Sequence, residues 1–249
     1  MHIFYALFFA VSTMFAAAQA ARGDVISECL DALLPSGAIT ACTEALTSRT
    51  LPPRDRALLL STRAGAYSMD GKTDQALADF DAAIALDATN AEARYGRGTM
   101  RLNAKDYRGA IDDFDAAITV RADYMPVFHN RGVAQEKLGR YTLAIADFST
   151  AIALEPALSS AYNNRGVAYR KAGNAKRALA DFNQALALAP RSAQALANRG
   201  TAWLNLGRLA EAASDFRAAL AIDPDGEDAL NGLAAVPGGE EQVARAPDD

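Results

Sequence analysis

Few side chains in this sequence are suited to chemistry. The chain has only two histidines, and one of them is His2. It has two cysteines, Cys29 and Cys42, with no Cys-x-x-Cys and no zinc-ligand spacing. No glycine-rich phosphate loop is present, because the Arg-Gly pairs sit inside helical patterns. With 17 Gly and 9 Pro, collagen-like and low-complexity classes are excluded. Basic charge is also scarce: 25 Lys and Arg stand against 30 Asp and Glu, a net charge of −5. A sequence-independent nucleic-acid binder must neutralise phosphates, so nucleic acid is not an expected partner. Past residue 20, no apolar run reaches the length of a membrane span. His129 is then the only histidine beyond the N-terminal segment, with no nucleophile or acid–base set around it. No enzyme, catalytic residue, metal, cofactor or small-molecule substrate is expected. The apolar fraction of 51% is ample for a core.

The first apolar run is an address. Residues 3–18 are almost wholly apolar and lead into Ala18-Gln19-Ala20, small residues at the two places a signal peptidase reads. Residues 1–20 are expected to be a secretory signal, cleaved after Ala20. The segment before the run has no Lys or Arg, so an uncleaved membrane anchor is the alternative. No Cys adjoins the site, which argues against a lipoprotein. The expected location is periplasmic or secreted, in bacterial style, with no membrane span in the mature chain.

In an oxidising compartment the even pair Cys29 and Cys42 suggests a disulfide. Val25–Leu34 reads as a short helix, Pro35-Ser36-Gly37 as a turn, and Ala38–Thr47 as a second helix. The cysteines are almost equally far from that turn, which would bring them opposite each other in a hairpin.

From residue 57 the chain repeats itself every 34 residues, without gaps: 57–90, 91–124, 125–158, 159–192 and 193–226. The last three copies contain HNRGVAQEKLGRYTLAIADF, NNRGVAYRKAGNAKRALADF and ANRGTAWLNLGRLAEAASDF. Each copy holds two helical patterns, and Pro156, Pro190 and Pro224 end the last three. One such hairpin cannot bury its own apolar face, whereas stacked copies can. The eighth place is small (Ala64, Gly98, Gly132, Gly166, Gly200), as is the twentieth (Ala76, Ala110, Ala144, Ala178, Ala212). Phe80, Phe114, Phe148, Phe182 and Phe216 hold the twenty-fourth place, and Ala83, Ala117, Ala151, Ala185 and Ala219 the twenty-seventh. Small residues let helices cross closely, and the ring fills the space beside the crossing.

These motifs resemble the tetratricopeptide repeat (TPR) family over residues 57–226. The resemblance implies an all-α, right-handed superhelical solenoid of helix-turn-helix repeats. The eleventh place departs from the family at Arg101 and Gln135, where an aromatic is usual. Residues 21–56 read as a shortened first repeat or cap, in which Ala38, Cys42 and Ala45 keep the spacing of the later small–aromatic–small triplet. The linker Ser48–Arg54, with Pro52-Pro53, reads as a loop. Residues 227–236 read as a C-terminal cap and 237–249 as a disordered tail.

Two polar rows recur in step. Arg63, Arg97, Arg131, Arg165 and Arg199 hold the seventh place, and Asp79, Asp113, Asp147, Asp181 and Asp215 the twenty-third. They suggest a structural ladder of ion pairs, with anion binding by the Arg row as the lesser reading. Asn130, Asn164 and Asn198 hold the sixth place in the last three copies. In the family, the first helix of each repeat lines a concave groove. The resemblance therefore implies a row of amides able to follow an extended peptide backbone. Tyr95, His129, Lys137, Asn163, Arg170 and Lys171 would stand beside it, giving a slightly basic centre suited to a partner of acidic character. The family's clamp for chaperone C-termini needs Lys at the fifth place, which this chain never has. The expected function is a protein–protein interaction scaffold or adaptor of the cell envelope, binding an extended peptide or helix of a partner. The alternative is a structural or assembly component that uses other faces.

Overall fold

The computed structural model describes residues 26–48 and 50–237. The proposed signal segment and its Ala18-Gln19-Ala20 site lie outside the described residues, as does the tail from residue 238. The described residues form helices and turns with no strand. They fall into two units, divided after Ala122.

The first unit holds α1 (26–30), α2 (Pro35–Leu46), α3 (Pro53–Met69), α4 (Thr73–Leu86), α5 (Ala91–Asn103) and α6 (Tyr107–Val120). Each helix from α2 to α6 packs on the next, and α3 also touches α5. The second unit holds α7 (Met125–Lys137), α8 (Tyr141–Leu154), α9 (Ser159–Lys171), α10 (Ala175–Leu188), α11 (Ala193–Asn205), α12 (Leu209–Leu220) and α13 (Glu227–Ala234). Here α7, α9 and α11 touch in series, backed by α8, α10 and α12, and α13 packs on α11 and α12.

Each hairpin turns in the same way. Gly71, Gly139, Gly173 and Gly207 take positive φ, and Lys105 takes it at 63° in the remaining turn. The amide that follows then bonds back five residues, as in Asn174 N–H to the Tyr169 carbonyl at 2.8 Å, which satisfies an orphan carbonyl at the helix end. Close approach explains the small row. A Cβ on Gly132, Gly166 or Gly200 would come within 2.7–2.8 Å of the ring of Phe148, Phe182 or Phe216. Those rings are fully buried.

Breaks lacking Pro are made by side chains. After α4, the Asp87 carboxylate accepts from the Thr89 backbone N–H and hydroxyl, at 2.9 and 2.6 Å. These bonds hold its pKa below the ordinary value. Asn90 then caps α5 through the Ala93 N–H at 2.8 Å and donates back to the Ala57 carbonyl.

The N-terminal hairpin differs from expectation. Pro35-Ser36-Gly37 is the first turn of α2, and the chain reverses earlier, at 31–34. Proline suits the first helical position because its missing N–H has no partner to lose there. Pro53 likewise opens α3, so the boundary expected between residues 56 and 57 falls inside a helix. Cys29 and Cys42 form a disulfide, with Cα atoms 4.7 Å apart. The equal distances from Pro35-Ser36-Gly37 are not its cause. The pair lies in one buried cluster with Ala45, Leu51 and Leu59, on the stripe of α2 that also holds Ala38. Among the described residues, no helix is long and apolar enough to cross a membrane.

Candidate functional site

The Arg and Asp rows meet as forked pairs between the two helices of each hairpin. Arg63 Nε and Nη2 donate to the two oxygens of Asp79 at 2.7 and 2.8 Å. Arg165 does the same to Asp181, both at 2.8 Å, and Arg199 to Asp215 at 2.8 and 2.7 Å. Arg97–Asp113 and Arg131–Asp147 share the geometry. The hydrogen bonds donated to the carboxylate raise the guanidinium pKa at Arg63, Arg97, Arg165 and Arg199. The remaining Nη1 reaches the preceding hairpin: Thr43 from Arg63, Asp81 from Arg97, Ser149 from Arg165 and Asn183 from Arg199. One Arg therefore fixes both the hairpin and its register on the neighbour. In all five pairs the Arg fork is occupied by the Asp of its own hairpin. Arg101 joins this network through Asp113 at 2.8 Å, which is how a cation replaces the usual aromatic. Gln135 is buried and accepts from Arg140.

The asparagines of the second unit form a different array. Asn198 Nδ2 donates to Asn163 Oδ1 at 3.0 Å, and Asn163 Nδ2 to Asn164 Oδ1 at 3.3 Å. Asn164 Nδ2 lies 3.2 Å from His129 Nε2, and His129 Nδ1 lies 3.4 Å from Asn130 Oδ1. Nε2 must accept from the Asn164 amide, so His129 is the neutral Nδ1–H tautomer. Burial lowers its pKa, and the bond to Asn130 opposes the shift. The bonds run in one direction from α11 through α9 to α7.

This row floors a groove of about 510 Å³ in the second unit. Its lining includes Asn163, Asn164, Asn198, Lys137, Arg170 and Lys171, with Val133, Glu136, Phe148, Val167, Gln194 and Asp228. His129 and Asn130 brace the row from its end and are not part of the lining. Tyr95 lies in the first unit, its ring 6.2 Å from that of Phe114. The first unit has Gly96 at the matching sixth place, where a Cβ would meet the Phe80 ring at 2.2 Å. There the ring fills the space an amide would occupy.

Sequence reasoning missed Gln194 and Asp228 as site residues. Both stand at the second place of their helices, and residues 227–236 have the composition of a cap, which gives no signal that α13 walls a groove. Glu136 is buried, with a side chain 8% exposed, and is held by Lys171 from α9 and by Lys137 at 3.3 Å. Asp228 accepts from Gln194 Nε2 at 3.2 Å. Arg170 is different: its Nε is buried without a hydrogen-bond partner. Burial lowers its pKa, partly offset by Asp228 and Glu136.

A tetratricopeptide repeat model matches residues 65–126 and 163–227, and a second TPR repeat model matches 137–173. Together these cover more than half the chain, and the chain belongs to the tetratricopeptide repeat family. No curated protein matches it. Among solved structures it is similar to YrrB, described as a TPR protein with an unusual peptide-binding site, at 26% identity and a TM-score of 0.65. That match covers 77% of this chain and 96% of YrrB. MamA matches at 26% identity and a TM-score of 0.55, over 62% of this chain and 88% of MamA. PilF of Pseudomonas aeruginosa, at 18% identity and a TM-score of 0.66 over 77% of this chain and 89% of PilF, shares the fold. As a TPR protein with these neighbours, the chain is a protein–protein interaction scaffold.

Proposed function

We propose that this chain is an exported, non-enzymatic adaptor that holds an extended segment of another protein in the groove of its second unit. The observation that carries the reading is the amide row Asn163, Asn164 and Asn198 along the floor of that groove. Each bond in the row uses one N–H of its amide, so the second N–H and the Asn198 Oδ1 remain for a peptide backbone. The row is held in place by its own bonds, so little side-chain freedom is lost on binding. Each peptide bond would contribute about 0.5–1.5 kcal/mol net. The peptide-binding site named for YrrB supports the same use of the fold. Export rests on the apolar segment ending in Ala18-Gln19-Ala20, and the disulfide suits an oxidising compartment.

The test is capture from envelope and secreted extract by the parent and by Asn164→Ala/Asn198→Ala, with circular dichroism showing both folded. The expected result is a partner held by the parent and lost by the variant. A partner held equally by both would move the contact to another face and favour an assembly role.

A further inference from the structure

Five charged side chains line the groove, three cations and two carboxylates: Lys137, Arg170 and Lys171 against Glu136 and Asp228. Two of the cations are already committed, because Lys171 and Lys137 both pair with Glu136. Asp228 is engaged by Gln194. Among the described residues no carboxylate comes within ion-pair distance of Arg170, and its buried Nε–H has no acceptor. A buried donor left unpaired is unfavourable and rare in native proteins. The guanidinium fork matches a carboxylate in two parallel hydrogen bonds, as every other forked Arg in the Arg–Asp row already shows.

We propose that Arg170 is the subsite that reads one isolated acidic side chain, Asp or Glu, of the extended peptide in this groove. The assignment rests on the groove reading above and adds the chemistry of its ligand. The balance of lining charges leaves room for a single negative charge. Asp228, bonded to the neutral Gln194 amide, keeps its charge in the same lining, so further adjacent acids would meet like charge. An isolated acid among neutral neighbours is therefore preferred over an acidic run.

The test uses pools of acetylated, amidated nonapeptides with a randomised neutral background. The centre is fixed as Glu, as Gln or as Glu-Glu-Glu. Retention on the immobilised protein is read by mass spectrometry. The expected result is retention of the Glu pool about tenfold above the Gln pool, with the triple-Glu pool below the single-Glu pool. Arg170→Gln removes the preference for Glu, Arg170→Lys keeps part of it, and Lys176→Gln, on the exposed face of α10 outside the groove lining, leaves it intact. On adding a retained Glu peptide, the Arg170 Nε–H signal in a ¹⁵N spectrum moves downfield. Equal retention of Glu and Gln pools by the parent would overturn the carboxylate assignment and leave the groove reading standing. A preference that survives in a folded Arg170→Gln would do the same. Retention of no pool at all would overturn the groove reading, and this assignment with it.

Discussion

Asp113 shows how much one side chain can carry in this fold. It is 2% exposed and accepts from two guanidinium groups, Arg97 and Arg101. Asp79 fills the same place one repeat earlier, is 12% exposed and serves Arg63 alone. Removing one partner from a buried charge pair leaves the other uncompensated. Asp113→Asn is expected to cost about 3 kcal/mol or more. Asp79→Asn should cost less, about 1.5–3 kcal/mol, because it strands one guanidinium rather than two and the carboxylate it alters is less deeply buried. Urea unfolding midpoints of the two variants decide it, and an equal or reversed order would contradict the burial argument. The pairing was legible in the sequence because both residue types recur in step. The second guanidinium was not, since Arg101 reads there only as a missing aromatic.

Between elements, the hydrogen-bond row from α11 through α9 to α7 depends on His129 staying neutral. Its Nε2 accepts from Asn164, and an imidazolium could not. Burial lowers its folded pKa below the ordinary value of about 6.5. The unfolded chain therefore takes up the proton first on acidification. Its contribution to stability is full above about pH 6.5 and is lost as the pH falls through that value toward the folded pKa. His129→Gln removes the titration and keeps an acceptor for Asn164. The parent should lose more stability than this variant between pH 7.5 and 5.5, read from urea midpoints. Equal losses would show that the His129–Asn164 bond is not the cause. The asparagines themselves stood out in the sequence as residues of the family's groove face. Their mutual bonding did not, because it joins residues 35 apart on different helices. Nor could spacing show that Arg170 lacks a partner, since that depends on Glu136 choosing Lys171 and Lys137 instead. At the N-terminus the error ran the other way: Pro35-Ser36-Gly37 has turn composition, yet proline is also favoured at the first position of a helix, where Pro35 stands.

For the molecule as a whole, stability built from neighbouring hairpins should be local. The N-terminal end has the thinnest core of the first unit: α1 is short, and Cys42 holds the place in the stripe that a phenylalanine fills in later hairpins. The disulfide to Cys29 replaces that ring. Further ties from α2 to α3 are the packing of Leu59 against Cys42 and Ala45, and bonds from Arg56 to the carbonyls of Leu46 and Ser48 and from Arg63 to Thr43. Closing a loop of 13 residues' separation contributes about 3 kcal/mol, mainly by restricting the unfolded chain. In a globule with one shared core, losing that amount would weaken protection everywhere. Here the loss should stay near the break. Hydrogen exchange on Cys29→Ser/Cys42→Ser is expected to accelerate in α1, α2 and the start of α3. Exchange in α9–α12 should keep the parent rates, because their Phe182 and Phe216 contacts and Arg–Asp forks are complete without the N-terminal end. A uniform rise across both units would show that the repeats unfold as one cooperative body, and the groove in the second unit would then depend on the oxidation state of two cysteines that do not touch it.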